Sequence, residues 1–373
     1  MNLYLLYIIG SFVVSMICGA VVIPMVIAYC KKKNLYDLPN ARKVHKCGVP
    51  RLGGICFLPC MFLASMIAMF VFNGTSETNK ISLSLWSVCF FVSLLLVYSV
   101  GLIDDFIGLE AKTKFVVQLL AASLFPMADL YINNLYGFCG IYEIPFYIGA
   151  PLTVFVIVFI DNAMNLIDGI DGLSSGISLM ALSGFLYYFM RDGLWVYSIL
   201  IAGLMGVLLS FMFYNIFGTA GKNKIFMGDS GSLTIGFILG FLFVKFSMDN
   251  PHILPFRRDS MLLAYTLLIV PVFDVCRVIF VRMMHRRPIF GADKNHIHHK
   301  LMRTSLSQHQ ALGVILAISV AYVVINNIMS TCCNVTAIVV GDVVLWYLIQ
   351  LIINHYIRRN NKEVFYCEQN SNI

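Results

Sequence analysis

The stretch Asp161–Gly176 reads DNAMNLIDGIDGLSSG, with polar side chains at every third residue: Asn162, Asn165, Asp168 and Asp171. Apolar segments long enough to enter a bilayer lie on both sides of it. An Asp at the centre of a membrane helix costs about 2.5–3.5 kcal/mol on insertion scales, so this density of polar groups needs a reason other than folding. One interpretation is a polar turn between helices. The other is a metal or phosphate site at the membrane surface, where glycine allows the backbone to approach a ligand.

The composition of the whole chain excludes a soluble globular protein. Of its 373 residues, 59% are hydrophobic and only 12% are charged. Eleven apolar segments are long enough to span a bilayer, or nearly so with tilt, and the first is too long for a cleaved signal peptide. We predict an all-α, polytopic membrane protein with a single transmembrane domain, residues 1–357, and a short cytoplasmic tail, residues 358–373. The segments are 3–30, 52–72, 81–103, 115–132, 148–161, 174–190, 194–214, 232–248, 261–282, 312–329 and 335–357.

The basic residues predict the orientation of the chain. With the loops assigned to alternating sides, one set of loops and the C-terminal tail hold 20 of the 26 Lys and Arg residues. Cytoplasmic loops of membrane proteins carry such an excess, so the N-terminus is predicted to lie outside and the C-terminus in the cytoplasm. The net charge of +7 therefore reflects topology and anionic lipid, and it does not indicate a nucleic-acid partner.

Acidic side chains recur in the loops on the cytoplasmic side. Asp104 and Asp105 end the third apolar segment, where the negative end of the helix dipole makes two acids unfavourable unless a nearby lysine or a divalent ion compensates them. Asp229 lies in a GDSG tetrapeptide, but without the context of a catalytic triad Ser230 is not interpreted as a nucleophile. The count of spans that places these residues on one side did not use them, so their coincidence predicts a single site.

Residues 285–303 form the most basic loop on the same side. Its cations and imidazoles favour an anionic, hydrogen-bonding ligand such as a nucleotide diphosphate. A zinc site is the rival interpretation, but Cys or Glu partners at ligand spacing are missing from the neighbouring sequence. Arg42, Lys43, His45 and Arg51 of the first loop are a weaker candidate for phosphate binding. The members of the basic loop are Arg286, Arg287, Lys294, His296, His298, His299, Lys300 and Arg303.

Five motifs occur in order along the chain: RKVH…PRLGG, IDDFIGL…KTKF, NAMNLIDGIDGL, FMGDSGSL and RPIFGADKNHIHHKL. In this combination the chain resembles the polyprenyl-phosphate N-acetylhexosamine-1-phosphate transferase family (glycosyltransferase family 4), and within it the undecaprenyl-phosphate GlcNAc-1-phosphate transferases. The resemblance implies transfer of a sugar-1-phosphate from a UDP-sugar to undecaprenyl phosphate, with release of UMP. It also implies a multi-pass protein of the bacterial inner membrane with a cytoplasmic active site, dependence on Mg²⁺ with Mn²⁺ as the alternative, and a homodimer.

The same resemblance assigns roles to individual residues. Asn165 and Asp229 are the implied magnesium ligands, and Lys114 is the implied phosphate-facing lysine. Asp104 and Asp105 resemble the acidic pair at the lipid-phosphate end, with Asp104 as the candidate base. The remaining implied residues are Asp168 and Asp171, which shape the nucleotide and metal site, and His296, His298, His299 and Arg303, which bind the UDP-sugar.

The choice of sugar separates members of this family. The segment HKCGVPRLGG resembles GlcNAc-1-phosphate transferases, whereas lipid I synthases carry a TPTMGG-like segment there. Lipid I synthases also have a further lysine after the paired aspartates, and Phe106–Gly108 offers none. We therefore predict that the donor is UDP-GlcNAc or a close N-acetylaminosugar, for a cell-surface polysaccharide. UDP-MurNAc-pentapeptide and a deoxy-N-acetylhexosamine donor are the alternatives.

A membrane transporter is the alternative from a different functional class. It would place charged residues near the membrane midplane and show inverted repeats. The sequence has no visible internal repeat, and Asp274 with Arg277 is its charged pair well inside a span. Because these two residues are spaced i, i+3 on one predicted helix, we interpret them as a structural ion pair.

Overall fold

The computed structural model describes residues 2–37, 48–75, 85–250, 256–288 and 295–359. Every site residue that the resemblance assigns lies within these ranges. Four other basic residues considered above, and most of the C-terminal tail, lie outside the described residues: Arg42, Lys43, His45, Lys294 and residues 360–373.

Helices make up almost all of the regular structure in the described ranges, and the fold is all-α in class, as predicted. Two short antiparallel hairpins accompany them, β1 (Tyr36–Asp37) with β2 (Val49–Pro50) and β3 (Asn134–Phe138) with β4 (Ile141–Glu143). The helices are α1 (Asn2–Lys33), α2 (Phe57–Thr75), α3 (Leu85–Ile107), α4 (Ala111–Met127), α5 (Phe146–Ile167), α6 (Leu173–Arg191), α7 (Trp195–Phe217), α8 (Asp229–Ser247), α9 (Ser260–Leu267), α10 (Ile269–Met284), α11 (Ile297–Arg303), α12 (Gln308–Met329) and α13 (Val335–Arg359).

All the predicted apolar segments coincide with helices, but these helices differ in length and straightness. In the described part of the chain, 9 helices are long and apolar enough to cross a bilayer, or up to 10 if the bent pair α9 and α10 is one span. That pair bends by 72° next to Leu268, so the predicted segment 261–282 is a broken helix. The predicted segment 115–132 corresponds to α4, which has 17 residues, and the short segment 148–161 extends into the 22-residue α5. The protein is a polytopic α-helical membrane protein.

Helix α8 lies at the centre of the bundle. Every residue from Ser230 to Ser247 is buried, and α3, α5, α6 and α9 pack around it. A helix that is apolar on all sides has this central position because no face of it needs contact with water. Other long helices expose large apolar side chains, for example Phe70 and Tyr347, which suit contact with lipid. The start of α8 is therefore held on several sides by neighbouring helices.

Two glycine-containing segments that are remote in sequence meet at the start of α8. The N–H groups of Gly53 and Gly54 donate hydrogen bonds to the carbonyls of Phe226 and Met227 at 2.9 and 2.7 Å. A Cβ at Gly54 would overlap the backbone of Gly231, so only glycine permits this approach. The PRLGG and FMGDSG motifs thus form one continuous wall beside the N-terminus of α8.

Candidate active site

An open cavity of 680 Å³ lies where α3, α5 and α8 meet the loops that precede α6 and α8. This volume is within the usual range of small-molecule and cofactor sites. Many of the side chains around it are charged or polar. They are Asp37, Arg51, Asp104, Asp105, Asn165, Asp168, Asp171, Asn215, Lys224, Asp229, Ser232, His299 and Gln308.

Asp105 anchors the start of α8. Its two carboxylate oxygens accept hydrogen bonds from the backbone N–H groups of Asp229 and Ser230, at 2.8 and 2.9 Å. The N–H groups of a first helical turn have no partner within the helix, and a negative charge beside them is favourable. Asp105 is also buried. Both of its oxygens therefore hold the backbone that carries Asp229.

Lys114, in the first turn of α4, lies between two carboxylates. Its ammonium group donates to Asp104 Oδ2 at 3.2 Å and also to Asp229 Oδ2. The other oxygen of Asp104 accepts a hydrogen bond from the backbone N–H of Leu109 at 2.6 Å. The sequence analysis gave a nearby lysine as one way to compensate the paired acids, and the structure shows Lys114 in that position. Three helices, α3, α4 and α8, thus meet in one charged cluster beside the cavity.

Asn165 and Asp229 approach the cavity from α5 and α8. Asn165 Nδ2 donates to Ser232 Oγ at 2.8 Å, which leaves the amide carbonyl oxygen for another partner. With Asp104 and Asp168, these residues offer oxygen donors, the type that Mg²⁺ prefers. Among the described residues, no three His, Cys, Asp or Glu side chains converge as a closed metal cage. An open set of one or two carboxylates, completed by phosphate and water, is the usual Mg²⁺ site, so the residues present fit that ion.

The DGIDG stretch follows α5 and lines the cavity. Asp168 lines the cavity. The surrounding protein shields its carboxylate from water, and the carboxylates of Asp229, Asp171 and Asp105 repel its negative charge. The pKa of Asp168 is therefore raised to about 7. Asp171 instead forms an ion pair with Lys224 at 2.6 Å. Asp171 therefore has a cationic partner, whereas Asp168 faces other carboxylates, although both line the cavity.

The turn from α5 into α6 depends on a residue that the sequence analysis did not identify. Gly172 has a φ of +76°, which strains any other residue, and its N–H donates to Asn215 Oδ1 at 2.7 Å. Asn215 Nδ2 donates in turn to the carbonyl of Ile225 at 2.9 Å. Asn215 thereby connects the DGIDG turn to the segment that leads into FMGDSG. Its signal in the sequence is an amide near the end of an apolar segment, which alone does not indicate a partner.

The three histidines of the HIHH motif take different positions. His299 lines the cavity. His298 is only 1% exposed and lies against Gly169, where an added Cβ would overlap the imidazole. His296 instead bonds to α10, because its Nδ1 lies 2.8 Å from Asp274 Oδ2. The structure thus brings two of the predicted histidines to the DGIDG turn and its cavity. His296 and Arg303 are not among the residues that line the described cavity.

His298 is a neutral histidine in a basic loop. Burial and the neighbouring His299 lower the pKa of His298 to about 3. Neither of its ring nitrogens has a hydrogen-bond partner among the described residues. A buried polar group without a partner costs about 1–3 kcal/mol, so such a group requires an explanation. A ligand that bonds to the imidazole would provide one.

The charged pair inside α10 also fixes the start of α11. Arg277 Nη2 lies 2.9 Å from Asp274 Oδ1, which confirms the predicted ion pair. The same Asp274 oxygen accepts the backbone N–H of Ile297 at 3.0 Å, and Arg277 donates to the carbonyl of Asn295. Asp274 is therefore a supporting residue of the histidine motif. Its sequence separation from His296 concealed that role.

Comparison with known proteins identifies the family. Residues 85–247 match the family model of glycosyl transferase family 4. The undecaprenyl-phosphate alpha-N-acetylglucosaminyl 1-phosphate transferase of Salmonella typhi is 30% identical over 288 residues, which cover 76% of this chain and 73% of that protein. The chain belongs to glycosyl transferase family 4.

Two further relatives match, and the first covers more of the chain. The probable undecaprenyl-phosphate N-acetylglucosaminyl 1-phosphate transferase of Bacillus subtilis (strain 168) is 29% identical over 353 residues, 92% of this chain and 88% of that protein. The undecaprenyl-phosphate alpha-N-acetylglucosaminyl 1-phosphate transferase of Escherichia coli (strain K12) is 27% identical over 290 residues. These matches confirm the family that the order of the motifs indicated.

The glycosyl transferase family 4 match covers one half of the site and not the other. Residues 85–247 include Lys114, Asn165 and five of the acidic residues, Asp104, Asp105, Asp168, Asp171 and Asp229, and the histidine helix α11 lies beyond them. The acidic residues and the histidines nevertheless meet at one cavity, since His299 lines it together with Asp168 and Asp171. The cavity therefore joins the matched part of the chain to a later segment.

Proposed function

We propose that the protein transfers N-acetylglucosamine-1-phosphate from UDP-N-acetylglucosamine to undecaprenyl phosphate and releases UMP. The observation that carries the proposal is the Asp104–Lys114–Asp229 cluster, which lies at the ends of three helices of a membrane bundle and beside the cavity. The prenyl chain of an acceptor stays in the bilayer, so its phosphate must meet the donor at such an end. The names of the relatives specify undecaprenyl phosphate and an N-acetylglucosaminyl 1-phosphate group, which supports both substrates.

The reaction brings the donor pyrophosphate and the acceptor phosphate together. In-line attack requires that their negative charges be screened and aligned. Lys114 suits the reacting phosphates because Asp104 and Asp229 fix its ammonium group between α3 and α8. Lys224 and Arg51, which line the cavity itself, provide further positive charge for the rest of the donor.

Mg²⁺, or Mn²⁺ as the alternative, would be held by Asp229 and the carbonyl oxygen of Asn165, with Asp168 beside them. When bound, the ion would neutralise the charge on the transferring phosphoryl group. Ser232 orients Asn165 through the amide nitrogen. We assign Asp105 to positioning, because its two oxygens bond to the backbone N–H groups that begin α8, whereas Asp104 bonds to Lys114.

The acceptor phosphate is the nucleophile. A phosphate monoester has a second pKa of about 6, so it is largely ionised at neutral pH and needs little help from a base. An acceptor oxygen bonds to the sugar-bearing phosphorus, the bond between the two donor phosphates breaks, and UMP leaves with the electron pair. Asp104 takes any remaining proton of the acceptor and, through Lys114, orients its phosphate.

The histidine helix is assigned to the donor. His299 reaches the cavity, and the neutral His298 offers ring nitrogens that lack partners in the described part of the protein. A neutral imidazole has one donor and one acceptor, which suits a uridine or sugar better than a bare phosphate.

The proposal includes the orientation and the assembly. We propose eleven spans, with the N-terminus outside and the C-terminus and the cavity on the cytoplasmic side of the bacterial inner membrane. The excess of Lys and Arg in the loops that carry the site supports this orientation. The homodimer rests on the family resemblance.

A donor panel tests the proposed function. Purified protein in detergent, Mg²⁺ and undecaprenyl phosphate are combined with radiolabelled UDP-GlcNAc, UDP-MurNAc-pentapeptide or UDP-N-acetylfucosamine, and the labelled lipid is quantified. A site that closes over the 3-position of GlcNAc excludes the pentapeptide through a clash. We therefore expect at least about 10²-fold higher kcat/KM for UDP-GlcNAc than for UDP-MurNAc-pentapeptide, which is about 2.7 kcal/mol.

Three outcomes of the panel have different meanings. Efficient formation of the muramoyl-pentapeptide lipid would contradict the choice of GlcNAc. Preference for the deoxy sugar would correct the substrate and leave the reaction class unchanged. If none of the three donors gives labelled lipid although the undecaprenyl phosphate is intact, the proposed function itself is contradicted.

A further inference from the structure

The histidine helix α11 depends on its neighbours for its position. It has 7 residues, and an isolated helix of that length is not stable in water. On one side, Asp274 of α10 bonds to His296 and to the backbone N–H of Ile297. The helix α11 also contacts α12, the next helix along the chain, and α13, a helix that lies beyond residues 85–247 and has no role in the proposed reaction.

The contact with α13 centres on a buried lysine. Lys300 Nζ donates to Gln350 Oε1 at 2.6 Å, and these residues are 6% and 5% exposed. Among the described residues, no carboxylate forms an ion pair with Lys300. Burial and the positive charge of Arg277 lower the pKa of Lys300 to about 7. The nearby Asp274 carboxylate offsets part of this effect, and the amide oxygen of Gln350 is the hydrogen-bond partner that the structure gives to this buried amine.

The lysine is closely coupled to the histidines of the site. Lys300 follows His299, which lines the cavity, and the rings of His298 and His299 lie 4.2 Å apart between centroids. His298 in turn packs against Gly169 of the DGIDG turn. A shift or rotation of the short helix at Lys300 would move both imidazoles relative to the cavity. Contacts at Lys300 therefore set the position of the histidine pair.

We propose that α13 is a positioning element of the donor site, in which Gln350 holds Lys300 and thereby fixes His298 and His299 against the DGIDG turn. Gln350 is a positioning residue and does not contact substrate. The identity of the affected substrate, the UDP-sugar, rests on the proposed function. The effect of Gln350 on the position of the histidines is independent of that function.

The apolar environment explains why a single hydrogen bond has this effect. When one partner of a buried pair is removed, the other keeps the full cost of its burial, and replacement of both partners by apolar groups is nearly neutral. A leucine at position 350 should therefore expel the Lys300 ammonium group and displace α11. A methionine at position 300 should remove the cause of that displacement.

The variants for the test are Gln350→Leu, Gln350→Glu, and the double variant Lys300→Met with Gln350→Leu, all in the full chain. Asn354→Leu is the matched control, since it also replaces a side-chain amide by leucine, one turn along α13 at a half-buried residue. Monodispersity and Tm are measured for each variant. If Gln350→Leu does not fold, Gln350→Glu and the double variant decide the test.

The first readout is kinetic. For Gln350→Leu we expect the KM for UDP-GlcNAc to rise about tenfold, the effect of a modest loss of positioning, with the KM for undecaprenyl phosphate unchanged. Gln350→Glu keeps an acceptor for Lys300 and should stay within a factor of two to three of wild type, and the double variant should recover most of the donor KM. Equal changes in both substrate constants, or no recovery in the double variant, would overturn the proposal.

The second readout does not depend on activity. Diethyl pyrocarbonate modification of His298, followed by mass spectrometry, reports its exposure without any substrate. His298 should react slowly in wild type, Asn354→Leu and the double variant, and several-fold faster in Gln350→Leu. Unchanged reactivity in Gln350→Leu would overturn the proposal. If wild type uses no UDP-sugar, the proposed function fails, and the labelling alone decides whether Gln350 positions α11.

Discussion

The acidic half of the site comprises Asp104, Asp105, Lys114 and Asp229, and the histidine half comprises α11 with His298 and His299. The two halves are held in place by different kinds of contact. In the acidic half, the backbones of α3 and α8 touch, since a Cβ at Gly101 would lie 2.6 Å from Ser230 Cα. Asp105 adds two hydrogen bonds to the backbone of α8. These contacts cannot change unless α3 separates from the buried helix α8, because a close-packed interior has no space for small adjustments.

In the histidine half, hydrogen bonds made by side chains hold the helix in place. The 7-residue α11 is tied to α10 through Asp274 and to α13 through Gln350. Single side-chain bonds of this kind can break or re-form individually. The difference indicates a rigid half for the reaction and a more adjustable half for recognition of the donor, which the following predictions test.

The largest effect is expected in the rigid half. Asp229→Asn removes a charge from the proposed metal site and from the ion pair with Lys114, so turnover should fall by at least about 10³-fold at every Mg²⁺ concentration. The backbone cap from Asp105 remains, so the protein should stay folded and inserted. Asp259→Asn is the control, because its side chain forms no cap hydrogen bond at the start of α9. Near-normal activity of Asp229→Asn would remove it from the metal site.

A smaller effect is expected in the histidine half. His298→Ala should lower kcat/KM for the UDP-sugar by about 10²-fold, mainly through KM, because it removes a positioning contact. His355→Ala, a change at an exposed histidine of α13, should behave as wild type. If His298→Ala changed only the KM for undecaprenyl phosphate, the assignment of this half to the donor would be wrong.

The pH dependence of Mg²⁺ activation distinguishes Asp168 from the histidines. Because its pKa is raised to about 7, Asp168 is mostly protonated below pH 7 and mostly ionised above it. A proton and Mg²⁺ compete for an ionised carboxylate, so the Mg²⁺ concentration for half-maximal rate should fall about tenfold from pH 6 to pH 8. Asp168→Asn should abolish this trend. His298→Ala should keep it, because that imidazole stays neutral throughout this pH range.

Two glycine substitutions compare the rigidity of the halves directly. Gly101→Ala places a methyl group against the backbone of Ser230 and should cost about 1–3 kcal/mol of stability. Gly169→Ala meets the imidazole of His298, which the short helix can move aside, so Tm should fall less and the donor KM should rise. Gly313→Ala, with no atom within 4 Å of the added Cβ, is the control. Equal losses of Tm at positions 101 and 169 would contradict the comparison.

The class of fold followed from composition, because a chain with 59% hydrophobic residues in eleven long segments has few alternatives to a helical membrane bundle. The positions of the helices followed as well, apart from details of length and straightness. The break at Leu268 was not predicted, although Pro271 lies three residues beyond it in the apolar segment 261–282. A proline inside a helical pattern favours a kink or a new helix start, because it cannot donate a backbone hydrogen bond.

The sequence by itself indicated which residues are candidates for the chemistry. Ionisable and amide side chains at the ends of apolar segments are costly, so Asp104, Asn165, Asp168 and Asp229 could be selected as candidates without any structure, and the family resemblance implied Lys114. The order of the motifs determined the family in the same way.

Only the tertiary structure decided the partners of those residues. Asp105 bonds to residues more than a hundred positions away, His296 bonds to Asp274, and Lys300 bonds to Gln350, 50 residues further along the chain. Short periodic patterns describe which face of a helix is apolar, but they contain no information about the helix that packs against it. The division between residues proposed to react and residues that position them therefore emerged from the packing of the helices.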